Sequence, residues 1–251
     1  MDGSLVTYRG FSMNTLKTQS DDYFQKNWEI YQKVVVNNYM EHREFSSALY
    51  NFLNDYCQTP FSLLELGCGD ATLTVQALLN TTIASYTGVD LSGVALEIAK
   101  VNMVQIQCEQ TFIEDDISKV VEKLAQNQKQ SFDVVMTSFV LHHLSLAEKD
   151  KVIQQVSHLL KPNGVFVLID TVLKKEEDRK HFINRYLENM YQNWNALSSQ
   201  DMLMIDNHIS TYDFPESQTT FYELAEKHNF VDFKCLYKDT IESAQFLCLY
   251  K

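Results

Sequence analysis

"LLELGCGDATLT", residues Leu63–Thr74, is an apolar run that reaches Glu65 and then breaks into two closely spaced glycines, Gly67 and Gly69. Glycine tolerates tight turns and lets a ligand lie directly against the peptide backbone. A helix that begins just after such a turn adds free N–H groups that favour an anionic or polar ligand. The stretch therefore predicts a buried strand, a turn and a helix N-terminus, with a ligand beside the turn.

Length and charge limit the rest of the molecule. The 251 residues, 45% of them hydrophobic, can bury one substantial core, so we expect a single domain with insertions. The net charge of −12 and the lack of a dense Lys/Arg run oppose binding to a phosphate backbone. We therefore expect a small-molecule partner and no nucleic acid, and the sequence leaves the oligomeric state open.

The five cysteines are scattered, without a CxxC pair or a histidine at ligand spacing. This pattern predicts neither a disulfide framework nor a metal site, and it fits reduced thiols in a cytoplasmic protein. Residues 1–20 read as a polar, flexible leader without the apolar segment of a signal peptide. No later apolar run approaches the roughly 20 residues of a membrane span, so no membrane association is expected.

Short apolar runs alternate with helical patterns from Ser62 onward, which predicts a doubly wound, Rossmann-like α/β sheet that is mostly parallel. Two closing runs are joined too closely for a crossover helix, so we expect seven strands with an antiparallel last strand. Ser145 and Glu148 form a capping-box pattern ahead of one crossover helix. The runs are SLLEL, SYTGVD, TFIEDD, FDVVMT, GVFVLID, DFKCLYK and AQFLCLY.

Two helical regions fall outside this alternation. Aromatic and aliphatic residues recur at helical spacing over residues 21–58 and again over residues 174–214. Ligands of open α/β sheets bind beyond the carboxyl ends of the strands, where the second region leaves the fifth strand. We expect residues 21–58 to form a helical cap and residues 174–214 a helical lid, with residues 59–251 as the main domain.

Acidic residues end three successive strands: Glu65 on the first, Asp90 on the second and Asp116 after the third. Parallel strands end at the same edge of the sheet, so these acids form a row there. Such a row can accept hydrogen bonds from the hydroxyls, the amine and the exocyclic nitrogen of a nucleoside-bearing ligand.

From about Pro60 to the C-terminus the sequence resembles the class I S-adenosylmethionine-dependent methyltransferases. The segments LLELGCGDA, YTGVDLSGVALEIAK, FIEDDI, FDVVMTSFVLHHLS and LLKPNGVFVLID occur in the family's order. The third glycine of the family's E-x-G-x-G-x-G pattern is Ala71 here. A nicotinamide-dinucleotide fold competes, with Asp90 as its acid, but Thr72 stands where that motif needs its last glycine.

The resemblance implies S-adenosylmethionine as the cofactor, and it implies a role for each matching position. The backbone at the glycine turn would hold the methionine part, Asp90 the ribose, Asp116 the adenine amino group, and the backbone near Thr137 the amino-acid end. The predicted cofactor-binding residues are Glu65, Gly67, Cys68, Gly69, Asp90, Leu91, Asp116, Ile117 and Thr137, with Leu91 and Ile117 against the adenine.

Arg43 is the remaining candidate for the cofactor site. Its guanidinium could bind the cofactor's carboxylate or an acidic substrate through two hydrogen bonds. An arginine that is simply solvated on the surface of a helix is an equally good interpretation.

A sulfonium already activates its methyl group, so the protein mainly aligns a nucleophile, aided by a base where the acceptor carries a proton. His142 and His143 follow the fourth strand. We expect His143 to face the site as the catalytic base. A structural role, in which the imidazole bonds to carbonyl groups of the loop, is an equally good interpretation. Predicted substrate contacts are His142, Tyr186, Trp194 and His208, although most of the lid's aromatic stripe has to be core.

These observations predict an enzyme that transfers a methyl group from S-adenosylmethionine to an oxygen or nitrogen atom of a small molecule. Two other functions stay open. One is a catalytically silent module that binds the cofactor or a protein, and the other is a tRNA-modifying enzyme of the same fold. The acceptor and the pathway lie beyond the sequence, because one cofactor platform serves many substrates.

Overall fold

The structure, a computed structural model, describes residues 29–127 and 129–251. The predicted leader at residues 1–20 and the first part of the predicted cap lie outside the described residues.

One mixed sheet runs through the molecule, as the sequence predicts. Its strands are β1 (Phe61–Leu66), β2 (Ile83–Asp90), β3 (Glu109–Glu114), β4 (Phe132–Ser138), β5 (Leu160–Leu173), β6 (Glu216–Ser217), β7 (Asp232–Lys238) and β8 (Ala244–Tyr250). The seven predicted runs are all present. The two-residue strand β6 is an addition, because two residues are too few to show a period of two.

The strand order is β3-β2-β1-β4-β5-β8-β7, and β6 pairs with the end of β5. Pairs among β1 to β5 are parallel, whereas β8 is antiparallel to both β5 and β7, as expected for the closing runs. The chain winds outward from β1 to β3 and then returns to β4 on the other side of β1. This switch point between β1 and β4 is the place where an open α/β sheet forms its ligand crevice.

Helices cover both faces of the sheet. They are α1 (residues 29–36), α2 (His42–Tyr56), α3 (Thr72–Leu78), α4 (Gly93–Met103), α5 (Ile117–Asn127), α6 (Leu146–Leu159), α7 (Arg179–Asn193), α8 (Ser199–Tyr212) and α9 (Gln218–Lys227), with a 3-10 turn at Leu141–His143. The predicted capping box is confirmed at the start of α6, where the Ser145 side chain caps the helix and Glu148 bonds back to it. Helices α7 and α8 lie within the predicted lid.

Each face of the sheet has its own core. Leu64 and Leu66 of β1 pack into one cluster, and Leu63 packs into the other. Burial of both faces is typical of parallel sheets and explains the continuous apolar runs. A third cluster joins Val34 of α1 to the aromatic stripe of α7, so α1 packs against the two helices of residues 174–214.

Candidate functional site

The turn after β1 is fastened to the end of β2. The backbone N–H groups of Gly67 and Cys68 donate to the carbonyl of Val89 at 2.8 and 2.9 Å. Gly67 has φ +74°, and a Cβ there would lie 2.4 Å from Val140 Cγ2, so only glycine fits. Gly69 has φ +51°, and a Cβ there would meet no described atom within 4 Å. The turn therefore exposes bare backbone at Gly69.

Asp90 lies across from this open backbone. Its Oδ2 accepts the N–H of Gly69 at 2.8 Å, and its Oδ1 accepts the N–H of Ser92 at 2.9 Å. A carboxylate oxygen has two lone pairs, so each still has acceptor capacity. The two backbone donors hold the half-buried carboxylate beside Gly69, where it can receive hydroxyl groups from a ligand.

Glu65 lies beneath the turn and is only 2% exposed. Its two oxygens accept hydrogen bonds from the hydroxyls of Thr74 and Tyr86, both at 2.6 Å. Burial raises the pKa of Glu65 to about 7, although these hydrogen bonds act in the opposite direction. The described contacts of Glu65 tie β1, α3 and β2 together, and its contact with a cofactor stays a prediction.

Two neighbours of Gly69 also have definite surroundings. The thiol of Cys68 is buried, and burial raises its pKa, so only the backbone of this residue is available at the turn. Ala71, in place of the family's third glycine, has φ +57° and begins α3. Alanine thus adopts the left-handed conformation that glycine would adopt without strain.

The predicted adenine-binding residues lie at the ends of β2 and β3. Leu91 is 70% exposed beside Asp90. The carboxylate of Asp116 accepts the N–H groups of Ser118 at 2.8 Å and Lys119 at 3.3 Å, which caps the start of α5. Ile117 is mostly buried against the core. Asp116 therefore has a structural role in α5, and its contact with a ligand stays a prediction.

The other side of the turn holds two buried polar atoms that lack partners in the described part of the chain, Thr137 Oγ1 and His42 Nδ1. Thr137, the residue before the last of β4, is in register with Leu66, the last residue of β1 before the glycine turn. Native proteins satisfy nearly all of their buried polar groups, so such atoms point to a missing ligand or water. They fit a polar group bound at the switch point.

The sequence pointed to Arg43 as a candidate for the cofactor site and did not single out its neighbour His42. It is 7% exposed, and its ring lies 5.4 Å from that of Phe139 and 6.3 Å from that of Tyr31. Burial lowers the pKa of His42 to about 4, so the ring is neutral at pH 7. The guanidinium of exposed Arg43 instead donates to the carbonyl of Val36 at 2.9 Å. The position of His42 three residues before Phe45, on the apolar stripe of α2, was the available signal.

A cluster of histidines lies beyond β4. We call His142, His143, His208 and Asp213 the histidine cluster. The Oδ1 atom of Asp213 lies 3.4 Å from His143 Nδ1 and 3.8 Å from the Nε2 atoms of both His142 and His208. His143 and His208 are exposed, whereas His142 and Asp213 are buried. The structure thus brings three predicted residues together around an aspartate that the sequence did not single out.

His142 is fixed by Asp170 of β5. Its Nδ1 and backbone N–H both bond to the Asp170 carboxylate, the latter at 3.1 Å. Burial opposes a charge on the ring, but the charges of Asp170 and Asp213 and the hydrogen bond outweigh it, so the pKa of His142 is raised. His143, the predicted catalytic base, is exposed beside it.

The segment that carries Asp213 is held in place by three bonds. The N–H of Phe214 donates to the carbonyl of His142 at 2.6 Å, and Arg179 Nε donates to the carbonyl of Asp213 at 2.6 Å. The ammonium of fully buried Lys149 bonds to the carbonyl of Phe214. The cluster is therefore positioned by the backbone as well as by its side chains.

Tyr186 and Trp194, predicted as substrate contacts, lie in the core that joins α7 to α1. Trp194 stacks on Tyr39 with ring centroids 5.0 Å apart, and the Tyr39 hydroxyl accepts the N–H of Ala196 at 2.7 Å. These contacts are structural, and a substrate contact for either residue stays a prediction. Among the described residues, no helix is both long and apolar enough to cross a membrane.

Comparison with known proteins agrees with this geometry. A family model described as "Methyltransferase domain" matches residues 64–166. An uncharacterized methyltransferase of Synechocystis sp. is 34% identical over 108 residues, which are 43% of this chain and 46% of that protein. A malonyl-[acyl-carrier protein] O-methyltransferase of Halalkalibacterium halodurans is 30% identical over 152 residues, which are 60% of this chain and 54% of that protein. The chain spans about half the length of these curated relatives.

Solved structures share the fold at low sequence identity. The crystal structure of a putative O-methyltransferase of Nostoc punctiforme superposes with a TM-score of 0.57 at 13% identity, over 82% of this chain and 55% of that chain.

The switch-point crevice, the bare glycine turn and the carboxylate at the end of β2 define a Rossmann-like protein built to hold a nucleoside cofactor. The methyltransferase-domain match over residues 64–166 and the methyltransferase relatives support the resemblance of this chain to the class I S-adenosylmethionine-dependent methyltransferases. The resemblance seen in the sequence is thereby confirmed, and the cofactor of this family is S-adenosylmethionine.

Proposed function

We propose that this protein is an enzyme that transfers the methyl group of S-adenosylmethionine to an oxygen or nitrogen atom of a small-molecule acceptor. The observation that carries the proposal is Asp90, whose carboxylate is held beside the open backbone of Gly69 by two N–H donors. The family and the fold support the same function.

The residues present fit the cofactor. The open space at Gly69 leaves room for it, and the exposed Leu91 offers an apolar surface next to Asp90 for the adenine. Thr137 Oγ1 and His42 Nδ1 are buried without partners and can serve its polar amino-acid end. In this arrangement Asp90 accepts the ribose hydroxyls, while Asp116 and Ile117 flank the base.

S-Adenosylmethionine, when bound, supplies a methyl group on a positively charged sulfur that a nucleophile can displace in line. The contribution of the protein is to align an acceptor with that methyl group and to remove water and protons. His143 is an exposed imidazole of the histidine cluster, and its Nδ1 lies 3.4 Å from buried Asp213. An acceptor hydroxyl or ammonium would pass its proton to His143, and the carboxylate of Asp213 would stabilise the resulting imidazolium.

The acceptor class is supported by the surroundings of these residues. Helices α7 and α8, within residues 174–214, carry His208 and end at Asp213, and we propose that they form the lid over the acceptor. A lid packed by its own core on α1 encloses a small molecule more readily than a polymer. The related protein named as an O-methyltransferase supports an oxygen acceptor, although it matches over only about half of its length.

The proposal is tested first by calorimetric binding of S-adenosylhomocysteine, the demethylated product. We expect Asp90→Asn to weaken binding about 10- to 100-fold, the effect of losing a hydrogen bond to a charged group. Asp232→Asn, an exposed carboxylate at the far edge of the sheet, is the matched control and should bind like the wild type. Absence of binding by the wild type would refute the proposal.

Methyl transfer is tested with radiolabelled cofactor and a cell extract separated into metabolites, protein and tRNA. We expect the label in the metabolite fraction, with loss in Asp90→Asn. Label in tRNA would favour the modifying enzyme instead, and cofactor binding without any transfer would favour the silent module.

A further inference from the structure

The histidine cluster has the composition of a metal site. His142 and His143 follow β4, and His208 and Asp213 come from the last turns of α8 and the residue after it. One ligand atom each from His142, His143 and Asp213 lies within 4.8 Å of the other two. The sequence predicted no metal because the two pairs are far apart along the chain, and neither has a ligand spacing of its own.

Asp213 provides an independent sign of a missing partner. The residue is only 5% exposed, and its Oδ1 has no hydrogen-bond partner in the described part of the chain. An unpaired charge is costly to bury, so a carboxylate in this setting needs a cation or a donor. The unpartnered oxygen is the atom to which all three imidazoles point at 3.4 to 3.8 Å.

These separations match the edges of a coordination polyhedron. Ligand atoms about 2.1 Å from a tetrahedral ion lie about 3.4 Å from one another. The distance from His143 Nδ1 to Asp213 Oδ1 is 3.4 Å, and those from His142 Nε2 and His208 Nε2 are 3.8 Å. The three distances to Asp213 Oδ1 are thus within a few tenths of an ångström of such an edge, and His208, which is not in the group whose ligand atoms lie within 4.8 Å of one another, would turn toward His142 and His143 to complete the set.

His142 is oriented as a metal ligand by the residue behind it. The hydrogen bond of its Nδ1 to the Asp170 carboxylate places the ring proton there, which leaves the lone pair of Nε2 directed at Asp213. Metal-binding histidines commonly have such a carboxylate behind them, because it fixes the tautomer and the orientation of the ring. Asp170 is itself held by the N–H groups of His142 and Thr171.

We propose that His142 Nε2, His143 Nδ1 and Asp213 Oδ1 bind a divalent first-row transition metal of the zinc type, with His208 Nε2 as the fourth ligand. Imidazole nitrogens with one carboxylate match this class, whereas Mg²⁺ and Ca²⁺ prefer oxygen ligands throughout. The ion joins the loop after β4 to the end of α8, and so fixes one end of the lid. In the metal-free protein His143 is available as a base, and in the loaded protein it is a ligand.

The test uses untagged protein, stripped with a chelator and then titrated with Zn²⁺ or Co²⁺. We expect one equivalent of Zn²⁺ by elemental analysis after dialysis, and intense visible bands of tetrahedral Co²⁺ in the wild type. Asp213→Asn should weaken binding by at least about a hundredfold and abolish the bands. Asp170→Asn, behind the ligand, should weaken it about 10- to 100-fold.

Controls separate loss of the ion from loss of the fold. His181→Ala removes an exposed histidine of α7 outside the cluster and should leave the stoichiometry and spectrum unchanged. His143→Gln and His208→Gln change exposed ligands, so they should fold normally and weaken binding at least tenfold. Retained binding of S-adenosylhomocysteine by the Asp213 variant shows an intact cofactor site, which distinguishes this result from failure of the proposed function.

The proposal is overturned if the stripped wild type takes up much less than one equivalent of Zn²⁺. It is also overturned if Asp213→Asn binds the ion as tightly as the wild type does.

Discussion

Asp90 accepts the backbone N–H of Gly69 at 2.8 Å, across the gap between the end of β2 and the turn after β1. One carboxylate therefore orders the turn and remains available beside its open side. The second bond, from Ser92, fixes the rotation of the same group at the start of α4. Because the site is ordered before a ligand arrives, binding loses less conformational entropy.

The two glycines of the turn should respond differently to alanine. In Gly67→Ala the new Cβ would lie 2.4 Å from Val140 Cγ2 in a left-handed residue, so we expect a loss of about 3 kcal/mol in the free energy of unfolding. In Gly69→Ala the protein has room for the methyl group, and only the backbone strain of about 1–2 kcal/mol remains. Binding of S-adenosylhomocysteine should nevertheless weaken at least tenfold in Gly69→Ala, because the methyl group occupies the cofactor's space.

Urea denaturation and calorimetry separate these two effects. Equal stability losses in the two variants, or unchanged binding in Gly69→Ala, would contradict this reading of the turn.

Glu65 should make stability depend on pH. Its pKa is raised by burial from 4.5 to about 7, so folding takes up a proton between these values. The stabilisation is complete below about pH 4.5 and is lost as the pH rises through 7, at up to about 1.4 kcal/mol per pH unit. Glu65→Gln imitates the neutral form, so its advantage over the wild type should grow from pH 5 to pH 8 in urea denaturation.

Glu97→Gln, on the exposed face of α4, is the control for this titration and should run parallel to the wild type. A pH profile of Glu65→Gln that also parallels the wild type would show that Glu65 does not titrate in this range.

Elements with a strong period were predictable from the sequence. The apolar run Leu63–Leu66 and the other apolar runs predicted the strands of the sheet. The link between β7 and β8 is too short for a crossover helix, so it predicted an antiparallel pair. The strand-end position of Asp90 was enough to place it beside the glycine turn, because parallel strands end at one edge. Local pattern and global topology agree in all of these cases.

The acceptor side was less predictable because it depends on long-range contacts. The segment of Asp213 is held near the histidines by bonds from Phe214 to the carbonyl of His142, from Lys149 to that of Phe214, and from Arg179 to that of Asp213. No period or spacing in the sequence encodes these bonds. His42 was missed for another reason, since a buried histidine on an apolar helix face reads as core until its unpartnered nitrogen is seen.

Glu41, the residue before α2, links the start of this helix to β7 and to the turn between β7 and β8. Its carboxylate accepts the hydroxyl of Tyr237 and both the N–H and hydroxyl of Thr240, in the turn before β8. Burial opposes the charge, but these hydrogen bonds outweigh it and lower the pKa of Glu41. The stabilisation is therefore present above the usual glutamate range and is lost as the pH falls through it, opposite to Glu65.

Glu41→Gln should reduce the free energy of unfolding at pH 7 by about 1–2 kcal/mol, with a smaller effect below pH 4. Glu122→Gln, exposed on α5, is the control and should change it by less than about 0.5 kcal/mol. An equal effect of Glu41→Gln at pH 7 and pH 3 would mean that its charge plays no part.

His42→Phe should stabilise the protein and weaken its binding of the cofactor product. The ring of His42 is buried between Tyr31 and Phe139, and its Nδ1 lacks a partner in the described part of the chain. Replacing an unsatisfied buried nitrogen by an apolar ring of similar shape removes a cost of about 1–3 kcal/mol, so we expect thermal and urea denaturation to show a more stable protein. If Nδ1 receives the amino-acid end of the cofactor, the same change should weaken binding of S-adenosylhomocysteine about tenfold.

A variant that gains stability but binds as tightly as the wild type would make His42 a packing residue. A variant that loses stability would show instead that the nitrogen already has a partner, such as a bound water.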